Sequence, residues 1–233
     1  MIVAHIGIRM GSKGLENKNL MDFHGLPLYQ RKLTFLLGYN LFDHIIFSCD
    51  SSEILGQIEE NSRLLKVFRP DYLATDNANK WDVFKHSIEK FRSTRNVQPS
   101  ILIDFDVTVP NLRHQTVLDF LKFAQENASL DCIMTAYESE RNPYFNMVEI
   151  NGSGLGKVVC KTDNFVASRQ SAPEVFSLSP AIYWMRTDAL MKHSHWSTTK
   201  FSVFQINRFE AIDIDTEFDF YLCKSIYSYE QGF

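Results

Sequence analysis

The chain has 233 residues, 45% of them hydrophobic, and a net charge of −4 at pH 7. This suits one large α/β domain over residues 1–233 and argues against nonspecific binding to nucleic acid. The four cysteines lie far apart without a C-x-x-C pair, which disfavours disulfides and zinc. No apolar run approaches the roughly 20 residues of a membrane span, and charges interrupt the first apolar run too early for a signal peptide. We therefore expect a cytoplasmic protein without nucleic-acid or membrane partners.

Strand-like and helix-like segments alternate through the first part of the chain. Apolar residues at helical spacing follow Pro27 and recur around Trp81 and Val117. This alternation is typical of a mostly parallel sheet with helices on both faces, so we predict a three-layer α/β/α fold. The predicted strands of this part are 1–8, 44–48, 67–68, 100–104 and 132–137.

The alternation breaks after residue 137. A turn-rich loop leads into a predicted hairpin with strands at 147–150 and 157–160. The hairpin and the stretch after it, approximately 144–176, resemble an excursion from the sheet. The later predicted elements are a strand at 180–185, a short helix from Thr187, a last short strand at 211–215 and a C-terminal helix capped by Thr216.

The loop that follows the first strand combines two glycines with three fixed cations. Gly11 and Gly14 let backbone N–H groups approach an anion closely, and Arg9, Lys13 and Lys18 can neutralise it. The spacing fits neither a Walker A loop nor the dinucleotide fingerprint. The loop therefore predicts a binding site for a nucleoside triphosphate at the end of a strand.

Further polar clusters follow predicted strands, at 48–53, 69–82, 104–113 and 213–215. Open α/β sheets bind ligands at the carboxyl ends of their strands. Two acidic pairs, Asp104 with Asp106 and Asp213 with Asp215, have the i, i+2 spacing that directs both carboxylates to one side of an extended chain. Carboxylates suit Mg²⁺ that bridges to phosphates. The alternative interpretation makes Asp104 and Asp213 buried partners of backbone N–H groups or caps.

These motifs together resemble the acylneuraminate cytidylyltransferases of the CMP-sialic acid synthetase type. The first loop matches the family signature A-R-G-G-S-K-G-[IL]-x-x-K-N except that Met10 replaces a glycine. Later matches occur in order along most of the chain. They are 48–51 with S-[ST]-D-S, 69–76 with R-P-x-x-L-A-x-D, 142–144 with N-P-Y/W, Arg169 and Gln170 with R-R-Q, and 212–219 with I-D-I-D-T-x-x-D.

The resemblance implies a nucleotide-diphospho-sugar transferase-like fold and transfer of CMP from CTP to a nine-carbon α-keto acid sugar. It also implies Mg²⁺ as cofactor and a homodimer whose hairpin arm reaches over the neighbouring site. The implied catalytic residues are Arg9, Lys13, Lys18 and Asp215. The implied nucleotide-binding residues are Arg9, Gly11, Ser12, Lys13, Lys18, Asn19, Arg69 and Asp76, the metal ligands Asp213, Asp215 and Asp106, and the sugar-binding residues Asp106, Thr108, Tyr144, Arg169 and Gln170.

One departure from the family pattern concerns the sugar. Many sialic acid enzymes have Q-P-T-S-P-L-R after the central strand, whereas this chain has Asp106 in place of the glutamine and one extra residue before Arg113. An aspartate could bind a second Mg²⁺, as in related sugar nucleotidyltransferases, and similar variants suggest a legionaminate-like branch. Two alternatives stay open: an enzyme of the same fold that uses a sugar 1-phosphate or another nucleotide, and a non-catalytic nucleotide-binding regulator.

Overall fold

The computed structural model describes residues 1–11, 14–161 and 166–232. The strands formed by the described residues are β1 (Ile2–Gly7), β2 (Asp22–Phe23), β3 (Leu26–Pro27), β4 (His44–Cys49), β5 (Leu64–Phe68), β6 (Ile101–Phe105), β7 (Cys132–Glu138), β8 (Val148–Ile150), β9 (Gly156–Val158), β10 (Phe176–Arg186) and β11 (Phe201–Gln205).

Seven of these strands form the central sheet, in the order β11-β7-β10-β6-β1-β4-β5. Strand β1 pairs in parallel with β4 and β6, β4 with β5, and β7 with β11. Strand β10 is antiparallel to both of its neighbours, β6 and β7. The sheet is therefore mostly parallel, as the sequence predicts.

The helices of the described residues are α1 (Leu28–Leu37), α2 (Ser52–Gln57), α3 (Lys80–Arg95), α4 (His114–Glu126), α5 (Thr187–Lys192) and α6 (Glu217–Gln231). They cover both faces of the sheet, because alternate residues of the buried strands point to opposite sides. One core packs α1, α4 and α6 against residues such as Ala4, Ile45 and Ile103. The other packs α3 and α5 against Val3 and Ile46. The predicted three-layer fold is confirmed.

The last strand of the sheet differs from the prediction. Residues 211–215 form no strand, and the strand is instead β11, which precedes them and pairs with β7. The Ile214 side chain is buried, but its segment makes one backbone hydrogen bond to the loop after β6, from Ile214 N to Thr108 O at 2.9 Å, rather than a ladder. The apolar alternation of 211–215 therefore reflects core contacts of a loop that crosses the strand ends.

Among the strands that the structure describes, β8 and β9 pair with each other and with no other strand. The apolar residues Val148, Ile150 and Leu155 of this hairpin are each more than 60% exposed. Residues 162–165, within the predicted excursion, lie outside the described part of the chain. Among the helices described, none combines the length and apolar character that crossing a bilayer requires.

Candidate active site

A cleft of about 640 Å³ opens at the carboxyl ends of β1, β5 and β6. This is the edge at which parallel α/β sheets bind ligands. Cations and carboxylates both line the cleft. They are Arg9, Lys18, Arg69, Lys80, Asp76, Asp104, Asp106, Asp213 and Asp215.

The loop after β1 contacts the segment that precedes α6. The Lys18 Nζ atom lies 3.0 Å from Asp215 Oδ1 and donates to Ile214 O at 2.8 Å. A Cβ atom at Gly14 would lie 2.6 Å from Asp215 O, so this close approach requires glycine. Asp215 itself keeps 71% of its side chain exposed to the cleft. The two segments therefore pack directly against each other, and both line the same cleft.

The remaining residues of the first loop differ in their placement. Arg9 forms an ion pair with Asp76 at 2.7 Å, and Asn19 donates to Arg9 O at 3.1 Å. All three line the cleft. Gly11 is exposed and does not line the cleft as the structure describes it. Ser12 and Lys13 lie outside the described residues, so their predicted roles stay predictions.

Arg69 enters the cleft from beneath β1. Its guanidinium lies under Gly7, where a Cβ atom would be 2.6 Å from Nη2, and it donates to Ser48 Oγ and Ser48 O at 3.3 Å each. Burial lowers the pKa of this guanidinium from its ordinary value. The group still carries a fixed positive charge, because arginine remains protonated in proteins. It therefore supplies a rigid cation at the floor of the cleft.

Lys80, at the start of α3, lies between two carboxylates of β6 and its following loop. Its Nζ atom donates a hydrogen bond to Asp106 Oδ2 at 2.9 Å. It also forms an ion pair with Asp104 Oδ2 at 2.8 Å, although the angles of this contact are not those of a hydrogen bond. Asp104 Oδ1 contacts His5 Nδ1 at 2.6 Å. Asp106 Oδ1 accepts from the N and Oγ1 atoms of Thr108 at 3.1 and 2.8 Å.

The charges of this group follow from its surroundings. Burial alone would raise the pKa of Asp106, but Lys80 and the Thr108 hydrogen bonds lower it to about 2. Burial would also lower the pKa of Lys80, yet the carboxylates of Asp104 and Asp106 raise it above its ordinary value. Desolvation outweighs the Asp104 contact at His5 and lowers the pKa of that imidazole. At neutral pH the group is thus one ammonium between two carboxylates, beside a neutral histidine.

Asp213 has a different environment. Burial raises its pKa to about 6, and the negative charges of Asp106 and Asp215 add to the effect. Its Oδ1 atom is buried and has no hydrogen-bond partner among the described residues. A buried carboxylate oxygen without a partner, two residues from an exposed carboxylate, fits a divalent cation.

The described residues bring no three histidine, cysteine or carboxylate groups together in a geometry that could hold a metal alone.

The predicted sugar-binding residues divide into two groups. Asp106 and Thr108 line the cleft. Arg169 and Gln170 instead line a separate shallow pocket, where Arg169 donates to Glu138 Oε1 at 2.9 Å and to Ser139 O at 2.8 Å. Tyr144 lies in the loop before β8 and does not line the cleft that the described residues form. Sugar contact by these last three residues stays a prediction.

Two cleft residues were not singled out from the sequence, Lys80 and His5. Lys80 falls in the polar cluster at 69–82, but only its ion pairs with the buried Asp104 and the half-buried Asp106 distinguish it from a solvated lysine. His5 interrupts the apolar run of β1 and pairs across the sheet with Asp104. A histidine inside a buried strand was the available signal, since it requires a polar partner.

Comparisons with known proteins match nearly the whole chain. The profile of a family described as cytidylyltransferase matches residues 3–231. The chain is 30% identical over 220 residues to the post-translational flagellin modification protein B of Campylobacter coli, covering 94% of this chain and 92% of that protein. It is 29% identical over 227 residues to a CMP-N,N'-diacetyllegionaminic acid synthase of Campylobacter jejuni, covering 97% and 95%.

The fold has a counterpart among solved structures. A CMP:2-keto-3-deoxy-manno-octonic acid synthetase complexed with CTP superposes with a TM-score of 0.68. The superposition covers 98% of this chain and 99% of that one, at 15% identity. At this level of identity the similarity establishes a shared fold.

Proposed function

The chain belongs to the cytidylyltransferase family and is a nucleotidyltransferase, and from this premise we propose that it activates a nonulosonic acid with CTP. The products are the CMP-sugar and pyrophosphate. The relative named as a CMP-N,N'-diacetyllegionaminic acid synthase supports an acid of the legionaminic, pseudaminic or sialic type. The main support for the proposal is the contact of Lys18 with Asp215 in the cleft. The same cleft is lined by Arg9, Arg69 and Asp213.

The proposed reaction is an in-line displacement at the α-phosphorus of CTP. The anomeric hydroxyl of the acid forms the new P–O bond, its proton passes to water, and the bond to the β-phosphate breaks so that pyrophosphate leaves with the electron pair. Catalysis of this kind depends mainly on positioning and charge stabilisation. Arg9 and Lys18 would bind phosphate oxygens, and Arg69 would keep a positive charge beneath them.

The proposed cofactor is Mg²⁺, held by Asp213 and Asp215. When bound there it would neutralise charge on the phosphates. Among the charged residues that line the described cleft, four are cations and five are carboxylates. Because these residues leave the cleft without an excess of positive charge, a triphosphate needs a further cation to bind favourably.

The proposed assembly is a homodimer formed through the hairpin of β8 and β9, in the cytoplasm. The apolar residues Val148, Ile150 and Leu155 are exposed in the single chain, and such clusters mark interaction surfaces. In a dimer the shallow pocket that contains Arg169 and Gln170 would lie close to the sugar of one of the two sites.

The test measures pyrophosphate release from CTP, UTP, ATP and GTP, each paired with legionaminic, pseudaminic and N-acetylneuraminic acids or with hexose 1-phosphates, with and without Mg²⁺. The proposal predicts release only with CTP, an acid and Mg²⁺. Release only with a sugar phosphate or another nucleotide would support the enzyme of the same fold with different substrates. No release with any pair would support the non-catalytic regulator.

A further inference from the structure

Lys80 occupies the place where a second metal ion would be expected. The sequence pairs Asp104 with Asp106 as readily as it pairs Asp213 with Asp215, so either pair could hold a divalent cation. In the structure the ammonium of Lys80 lies 2.8 Å from one carboxylate of the first pair and 2.9 Å from the other. A lysine that joins two carboxylates in this way takes the electrostatic role of a bound cation.

The other oxygens of the same pair also have partners. Asp104 Oδ1 contacts His5 at 2.6 Å, and Asp106 Oδ1 accepts two hydrogen bonds from Thr108. A metal ion could bind this pair only by displacing Lys80 or by breaking these bonds. Displacement would leave the Lys80 ammonium without its two carboxylate partners, and removing the partners of a partly buried charge is unfavourable.

The surroundings of Lys80 hold its ammonium in place. Its Nζ atom lies 4.8 Å from the ring centre of Tyr183 and 5.7 Å from that of Phe84. Both distances are within the range of cation–π attraction. Its backbone begins α3, and the Asn79 side chain caps that helix by accepting from Trp81 N. The ammonium is therefore fixed by its helix, by two aromatic rings and by two carboxylates.

The second acidic pair contrasts with the first. Asp213 Oδ1 is buried without a hydrogen-bond partner among the residues described, and Asp215 is largely exposed. An incoming cation gains a contact at Asp213 without breaking one. Lys18 contacts Asp215 but leaves the Asp213 Oδ1 atom unpaired.

We propose that Lys80 is the permanent cation of the Asp104–Asp106 pair, so that a divalent cation binds only at Asp213 and Asp215 and each chain holds one metal ion. This inference rests on the metal site of the proposed function. Asp106 is then not a metal ligand, and Lys80 is a positioning residue that orients Asp106 and, through it, Thr108. The positive charge that a second metal ion would bring to Asp104 and Asp106 is supplied by the side chain of Lys80.

The test titrates the purified chain with Mn²⁺ in the absence of nucleotide. Electron paramagnetic resonance measures the free ion, and the difference from the total gives the number of ions bound per chain. The wild type is expected to bind one ion per chain. Asp213→Asn should weaken that binding at least about 100-fold, as expected for loss of a direct ligand. Asp106→Asn should weaken it by less than about fivefold, because its charge is already paired and acts only through a screened field.

Replacing the lysine gives the complementary result. Lys80→Met should create a second Mn²⁺ site, because the Asp104–Asp106 pair then has no cation. Lys90→Met, an exposed lysine of the same helix, is the matched control and should keep one site. Circular dichroism establishes that each variant is folded. If Lys80→Met does not fold, the comparison of Asp106→Asn with Asp213→Asn decides the proposal in a native background.

Three results would overturn the inference: a wild type that binds no Mn²⁺ or two ions, a folded Lys80→Met variant with a single site, or an Asp106→Asn variant weakened as strongly as Asp213→Asn. None of these measurements involves turnover. Failure of the metal count is therefore distinguishable from failure of the proposed reaction, which pyrophosphate release tests.

Discussion

Lys18 and Asp215 are 197 positions apart in the chain, yet the Lys18 ammonium lies 3.0 Å from Asp215 Oδ1. This contact joins the loop after the first strand to the segment before the last helix. A cation suited to a phosphate and a carboxylate suited to a metal ion thus lie side by side in the lining of one cleft. The proposed chemistry depends on this proximity, because a metal-bound triphosphate has to contact both.

Replacing Lys18 tests whether this lysine binds the phosphates of CTP. Lys18→Met should lower kcat/KM for CTP about 100–1000-fold, the scale of losing one group that stabilises transition-state charge. Lys122→Met, which removes an exposed lysine of α4, controls for the change in net charge and should retain wild-type kinetics. Equal kcat/KM values for the two variants would remove Lys18 from the site.

Replacing Gly14 tests whether activity requires the close packing of the first loop against Asp215. Gly14→Ala places a Cβ atom 2.6 Å from Asp215 O unless the backbone moves, and a shift of about 1 Å at a catalytic group can cost on the order of 100-fold in turnover. Gly56→Ala in α2, where a Cβ atom would meet nothing within 4 Å, is the control. Steady-state pyrophosphate release with the acid sugar compares the two, and an active Gly14→Ala variant would contradict the assigned spacing.

Lys32 gives the protein a distinctive dependence of stability on pH. Burial lowers the pKa of Lys32 to about 8, while its Nζ atom donates to Val109 O at 2.8 Å. Between pH 8 and the ordinary value of 10.5 the unfolded chain binds more protons than the folded one. Lys32 therefore increases the free energy of unfolding as the pH rises through that window.

Below the window the lysine is charged in both states, and the full cost of burying the charge remains. Lys32→Met removes this dependence. Relative to the variant, the wild type should gain roughly 3 kcal/mol between the lower and upper ends of the window. Urea unfolding of both proteins across it provides the measurement. Parallel stability curves would show that Lys32 titrates normally in the folded chain.

The hairpin of β8 and β9 should decide the oligomeric state. Ile150→Asp combined with Leu155→Asp places charges on two exposed apolar positions of this hairpin and should convert the proposed dimer to a monomer, since buried unpaired charges oppose association. Light scattering after size-exclusion chromatography gives the mass. Tyr229→Ser, an exposed aromatic of α6, serves as control. A wild-type monomer, or a dimer unaffected by the double substitution, contradicts the proposed interface.

Much of the fold could be predicted from the sequence, because its signals are local. The runs in β1, β4, β6 and β7 are buried on both faces and are mostly apolar in sequence. Thr216 and Asp219 form the capping box that starts α6. The family signature also located the first loop and the acidic segment before α6, and the matching profile confirms the family.

What could not be predicted depends on contacts between distant segments. Residues 211–215 have the alternation of a strand, yet they cross the strand ends as a loop, and β11 was missed because its parallel partner β7 is remote in sequence. The Lys80 ion pairs join residues more than 20 positions apart, across two elements. Charge type and spacing alone do not reveal which carboxylate a lysine neutralises, so the two acidic pairs looked alike before their partners were known.

The most direct test of the account is the activity of Asp215→Asn. The variant keeps the shape of a side chain that is 71% exposed, so its melting temperature should match that of the wild type. Pyrophosphate release from CTP with the preferred acid and Mg²⁺ should fall at least about 100-fold, on the scale of losing a charge-stabilising group. Near-normal release from a folded Asp215→Asn protein would contradict the claim that the first loop and this carboxylate bind one magnesium-bound triphosphate together.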